Sequence, residues 1–373
     1  MTSDSTALNW LKACLRGDCL EWPDRQDTSI ADRIRQAGLE HGVLALCSHN
    51  LFNTPAREIL PPEFQKLLKE HVLQAAVAEL VQEHEIRQVL KVLHGEALSP
   101  LLMKGTPLAY SIYPQPYLRS RCDTDFLFPD KNTAERAWHV VQEMGYSRPS
   151  AVSGEFISHE FTCYKSGRLG VEHALDFHWK LSNNQLFART FTFNDLMAVA
   201  VPVANLSEHA LAFDPEHALL HACMHRIGHK PQGDADRLIW LYDIHILAGS
   251  LSQIQWDRLA SLAVEKKLCN ICLDGLQETK SALATPIPAD VKKILHEKGK
   301  KENITADMGS TRWRMDLANF QTLPSWRERL LLLKEHFFPS AEYMLTKYNT
   351  NNRFLLPFLY IRRVTQGITK RYR

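Results

Sequence analysis

Asp123 and Asp125 lie two apart in the stretch LLMKGTPLAYSIYPQPYLRSRCDTDFLFPD (101–130), inside a short apolar run that reads as a strand. Side chains two apart on a strand share one face. Facing carboxylates repel unless a cation lies between them, and hard oxygen ligands suit Mg2+ or Mn2+ bound together with substrate phosphates. Upstream, Lys104-Gly105-Thr106 follows another apolar run. A glycine directly after a strand lets the backbone approach a ligand closely, and N–H groups opening the next helix accept phosphate charge. Lys104, Arg119 and Arg121 are the cations at hand. They could offset the same phosphates or form ordinary ion pairs with nearby acids.

Two other patterns compete for chemistry. His217, His221, His225 and His229 recur every four residues, along one side of a predicted helix. Histidines at i and i+4 can bind Zn2+, which would make a phosphohydrolase a rival reading. The stripe drifts around the helix, however, and no acid stands beside it as in a metalloprotease motif. Cys269 and Cys272 form a CxxC without a second pair at zinc-ribbon spacing, in KKLCNICLDGL, which reads as an amphipathic helix.

The elements that must position these residues follow from periodicity. Apolar residues recur at helical spacing from about Asp27 to Leu93, broken at Leu60-Pro61-Pro62, so the N-terminal region (1–95) is helical. Short apolar runs then appear at 99–104, 125–128, 161–165 and 171–181, with the helical pattern TAERAWHVVQEMGY ending at Gly145 between the second and third. These predict a sheet backed by a helix over 96–182. On the last run, Glu172 and Asp176 alternate onto one face, so either could be a third acid. From Phe193 the pattern is helical again, through 296, and EKGKKEN (297–303) reads as a hydrophilic linker into a C-terminal helical region. The fold class predicted is α+β, a small mixed sheet flanked by helices.

In order and spacing, the 96–181 segment resembles the polymerase-β-like nucleotidyltransferase superfamily: strand, Gly-Ser or a variant, helix, Asp-x-Asp strand, then a third carboxylate. Within it, the chain looks most like an uncharacterised bacterial nucleotidyltransferase family. The matching residues are Met103-Lys104-Gly105, Tyr113 with Pro114 and Pro116, Arg119, Asp123-Thr124-Asp125 and Asp176-Phe177-His178-Trp179. Thr106 replaces the usual Ser, and Thr124 an apolar residue. The resemblance selects Asp176 as third ligand and implies transfer of a nucleoside monophosphate from an NTP to an unknown acceptor, with pyrophosphate released. It gives Asp123, Asp125 and Asp176 to the metals, Lys104, Gly105, Thr106 and Arg119 to the nucleotide, and His178, His225, His229 and Asp243 to a substrate cleft. An inactive nucleotide-sensing or partner-binding module on the same fold is the alternative.

The chain has 373 residues, 45% hydrophobic and 23% charged, and a formal net charge of +2. That is ordinary globular composition without a field to draw it along a polyanion, which favours a small-molecule or protein acceptor over a long nucleic acid. Eight scattered cysteines and no signal pattern at the start fit reduced thiols in a cytoplasm. No run nears the ~20 apolar residues of a membrane span. FLLPFLYI (354–361) is followed by Arg362, Arg363, Lys370, Arg371 and Arg373, a basic tail suited to weak contact with an anionic surface; it and the aromatic HFFPS read first as packing.

Overall fold

The computed structural model describes residues 5–18, 20–23, 27–149, 154–305, 307 and 310–371; Cys19, Arg373 and the side chains of Lys370 and Arg371 lie outside them. Four helices come first: α1 (Ser5–Arg16), α2 (Ile30–Glu40), α3 (Leu44–Phe52) and α4 (Pro62–Gly95). Pro62 opens α4 where a missing N–H costs nothing. The sheet region holds β1 (Leu101–Met103), α5 (Gly105–Ser111), β2 (Thr124–Leu127), α6 (Lys131–Glu143), β3 (Glu160–Ser166) and β4 (Glu172–His178). Next come α7 (Gln185–Ala188), α8 (Phe193–Met197), β5 (Val201–Pro202), β6 (Leu211–Ala212), α9 (Pro215–His229), α10 (Leu238–Ser250), α11 (Gln253–Glu265), α12 (Cys269–Leu283) and α13 (Ala289–Gly299). The C-terminal helices are α14 (Arg312–Thr322), α15 (Trp326–Phe337), α16 (Ala341–Lys347) and α17 (Leu356–Arg371).

The strands form one mixed sheet in the order β3-β4-β2-β1-β6-β5. β2 runs parallel to β4 and antiparallel to β1. Alternation divides the side chains between two cores. Leu102, Phe126, Leu175 and Phe177 point toward Ala134, Ala137 and Val141 of α6 and the end of α4, while Leu101, Met103 and Leu127 join the helical core. The acids of β2 and β4 share this second face. The mixed, helix-flanked sheet is the α+β class predicted from the sequence.

Two details differ from the sequence reading. β5 and β6, which extend the sheet beyond β1, fall in a stretch read as helical; two residues each, one of them Pro202, are too few to display a period of two. Residues 297–303 also do more than link: the first three complete α13, and the Glu302 carboxylate accepts the N–H groups of Cys269 and Asn270 (2.9 and 3.1 Å) at the start of α12.

Candidate active site

Strand register brings the acids together. Asp125 of β2 lies directly beside Asp176 of β4, and His178 is across from Glu160 of β3. Glu172, the other candidate, pairs with Ser166 at the far end of its strand. The Asp125 Oδ1 receives Lys104 Nζ (2.5 Å) and His178 Nε2 (2.9 Å), and His178 Nδ1 stands 2.8 Å from Glu160 Oε2, at ion-pair range but off the hydrogen-bond line. Burial alone would raise Asp125, but Lys104 and His178 outweigh it and hold the carboxyl well below the usual range. Burial would likewise lower His178, yet Glu160 and Asp125 raise it to about 9. Asp123 stands open to solvent at the rim, so the like charge of Asp125, more than burial, pushes it up to about 7. Asp176 is raised by burial and then by Asp125.

The Lys104-Gly105-Thr106 corner behaves differently from expectation. Lys104 has φ +58° and ψ −132°, a strained backbone for a side-chain-bearing residue. The corner turns β1 into α5 while the ammonium stays on Asp125. A Cβ added to Gly105 would lie 2.9 Å from Arg119 Cζ and Nη1, so the bare backbone is covered by an arginine of the same chain. Thr106 is 1% exposed, its hydroxyl 3.5 Å from that of Thr124, and does not line the cavity. Arg119 is fully engaged: Nε and Nη2 grip both Asp243 oxygens (2.7–3.1 Å) and Nη1 donates to Ser120 O (2.6 Å). Tyr113 Oη also donates to Asp243 (2.7 Å). Arg119 and Asp243 therefore clamp the sheet region to α10. Arg121 makes a buried two-point pair with Glu79 of α4 (2.7 Å each).

These residues open on a cavity of about 410 Å3, whose strand wall carries Lys104, Asp123, Asp125, Glu160 and Asp176. The opposite wall comes from α9 and α10. Asp214 caps α9, accepting from His217 N (2.8 Å), with Pro215 behind it. This sets the helix so that His221, His225 and His229 line the cavity while His217 folds back onto Asp214 and Phe191. The sequence reading gave only His225 and His229 of this stripe to the cleft, and His221 joins them; helix phase alone could not fix which turn met the opening. His225 and His229 meet the edge of Trp240 (centroids 4.7 and 4.8 Å). Burial, with the Lys104 charge second, pushes all three imidazoles down, His221 to about 4. Arg237 lies over Trp240 (5.3 Å) and lines the cavity with Nε buried and unpartnered. Cys269 and Cys272 are buried in α12; burial pushes the Cys269 thiol up to about 12, and the neighbouring Cys223 thiol, then burial, raises Cys272.

The two neighbouring carboxylates, Asp125 and Asp176, are oxygen donors of the kind that suit a hard divalent ion. Asp125, Asp176 and His178 each offer an atom within 4.8 Å of the others, the only such grouping of His, Cys, Asp and Glu among the described residues. Asp176 Oδ1 is buried without a hydrogen-bond partner, an acceptor whose desolvation a cation would offset. Glu160 went unnoticed in the sequence. Its only signal was its place at the head of a predicted strand, in phase with Thr162, and the register with His178 needed the folded sheet.

No curated protein matches the chain. A solved structure with some similarity, the Megavirus polyadenylate synthase, is 12% identical at a TM-score of 0.32, over 67% of this chain and 57% of that one. A family model described as uncharacterised nucleotidyltransferase matches residues 30–284, from α2 through α12 with the sheet and both walls of the cavity, and the chain thus belongs to that nucleotidyltransferase family.

Proposed function

We propose that the chain moves a nucleoside monophosphate from an NTP to an acceptor hydroxyl or phosphate and releases pyrophosphate, with Mg2+ or Mn2+ held by Asp123, Asp125 and Asp176. The observation that carries this is the side-by-side register of Asp125 and Asp176, with an unpartnered buried Asp176 oxygen, on the wall of one cavity. A bound divalent ion would supply charge neutralisation on the triphosphate and on the attacking oxygen. For a hydroxyl acceptor, its oxygen bonds to the α-phosphorus as the α–β anhydride bond breaks, and that electron pair leaves on pyrophosphate. Asp176, its pKa raised by burial and by Asp125, takes the hydroxyl proton.

Lys104 and His178 keep Asp125 ionised, and the Lys104 ammonium on the cavity wall offsets phosphate charge. Arg119 is a positioning residue: clamped to Asp243, it supports the Gly105 corner and leaves phosphate contact to Lys104. The cavity volume is that of a nucleotide-sized ligand site. The neutral imidazoles and Trp240 on the facing wall suit a planar, uncharged moiety.

Calorimetric titration with ATP, CTP, GTP and UTP, each with and without Mg2+, tests the reading on wild type and on Asp123→Ala with Asp125→Ala. Binding that needs both Mg2+ and the aspartates is the expected result. Absence of any nucleotide binding to wild type would sink it and leave an inactive partner-binding module.

A further inference from the structure

The C-terminal helices leave an apolar face bare. No residue of α15 is buried, and Trp326, Leu330, Leu333 and Phe337, at helical spacing, are 69%, 62%, 38% and 38% exposed. Phe354, just ahead of α17, and Phe358 and Ile361 on it repeat the spacing at 91%, 70% and 63%. Every exposed Phe and Trp among the described residues falls between Trp313 and Phe358. Phe338 meets Tyr360 (5.6 Å), Tyr360 Oη donates to Pro339 O (2.7 Å) and Arg363 donates to His336 O, so the two stripes belong to one module. The aromatic HFFPS segment, read from sequence as packing, is half outside: Phe338 is 61% exposed. Exposed apolar residues this concentrated are rare on soluble proteins unless something covers them.

Charge identifies what covers it. Residues 312–373 hold twelve Lys and Arg against four Asp and Glu, a net of +8 in a chain whose total is +2. Residues 1–311 accordingly carry −6. Glu328 pairs with Arg189 (2.9 Å), and Glu335 accepts the N–H groups of Glu155 and Phe156 (2.8 and 2.9 Å). A second copy meeting this face symmetrically would set one excess of positive charge against another. A nucleic-acid backbone would satisfy the arginines and leave Leu330, Leu333 and Phe358 in water. The boundary of an anionic bilayer accepts both at once, apolar side chains among the acyl chains and arginines among the phosphates. We infer that the α14–α17 module docks the protein on an anionic lipid surface.

Flotation of the full chain with vesicles tests this, using phosphatidylcholine alone or with about one third phosphatidylglycerol, at about 0.15 M salt. Wild type should partition onto the anionic vesicles roughly ten-fold or more better than onto neutral ones. Arg353→Gln with Arg362→Gln should lower that partition by about ten-fold or more, and Leu330→Ser with Phe358→Ser by a similar factor. These side chains are exposed, so both variants should keep the wild-type melting temperature. Equal or absent binding to the two vesicles would overturn the inference. So would variants that bind as wild type does, a preference for oligonucleotides over vesicles, or a dimer that the same substitutions dissolve.

Discussion

On the strand wall of the cavity, His178 lies between Asp125 and Glu160 and is raised to about 9; on the helix wall, His221 meets Phe213 and the Leu181 carbonyl and falls to about 4. Both rings are buried, and burial alone drives both down. The difference is the charge each one faces. One wall is thus a network of ionised groups, and the other carries neutral imidazoles on the same cavity. Residue type says little about protonation here, and neighbouring charge says nearly everything.

Breaking the clamp that holds the two walls together should have the largest effect. Arg119→Ala strands Asp243 in a buried site and should cost about 3–5 kcal/mol in denaturant unfolding. Adding Asp243→Leu should recover part of that loss, because no lone charge then remains. Next comes the chemistry of the strand wall. Asp176→Asn should leave Mg2+-dependent nucleotide affinity within a few-fold but slow pyrophosphate release, with water as acceptor, by about 10²–10³-fold. A parallel fall in affinity would mean that Asp176 binds rather than reacts.

Gly105→Ala tests the contact between corner and clamp. The added methyl meets the Arg119 guanidinium and should destabilise by about 1–3 kcal/mol, with a smaller cost in an Arg119→Ala background. The helix wall gives the smallest effect per unit change. His221 has a folded pKa of about 4 against about 6.5 unfolded, so its contribution is present above pH 6.5 and is lost as pH falls toward 4, when the unfolded chain takes up the proton first. Thermal melts should show about 1.4 kcal/mol per pH unit less acid loss in His221→Asn across that window. An unchanged slope would mean that the helix wall is wetter than its packing implies.

Much of this was legible in the chain. The apolar runs mark the four principal strands, and the helical pattern ending at Gly145 marks α6. These depend on local periodicity and steric preference, which neighbouring residues carry themselves. Glu172 and Asp176 were equivalent by alternation, and only resemblance preferred one; the parallel pairing of β2 with β4 places Asp176 beside Asp125. Glu160 joined the site through β3 and His178, and Arg119 pairs with Asp243, 124 positions away in sequence. Sequence determined which groups could ionise and which faces they share, whereas only the tertiary structure decided which charges meet, because ion pairs and pKa shifts depend on distances of a few ångströms between segments that local pattern does not relate.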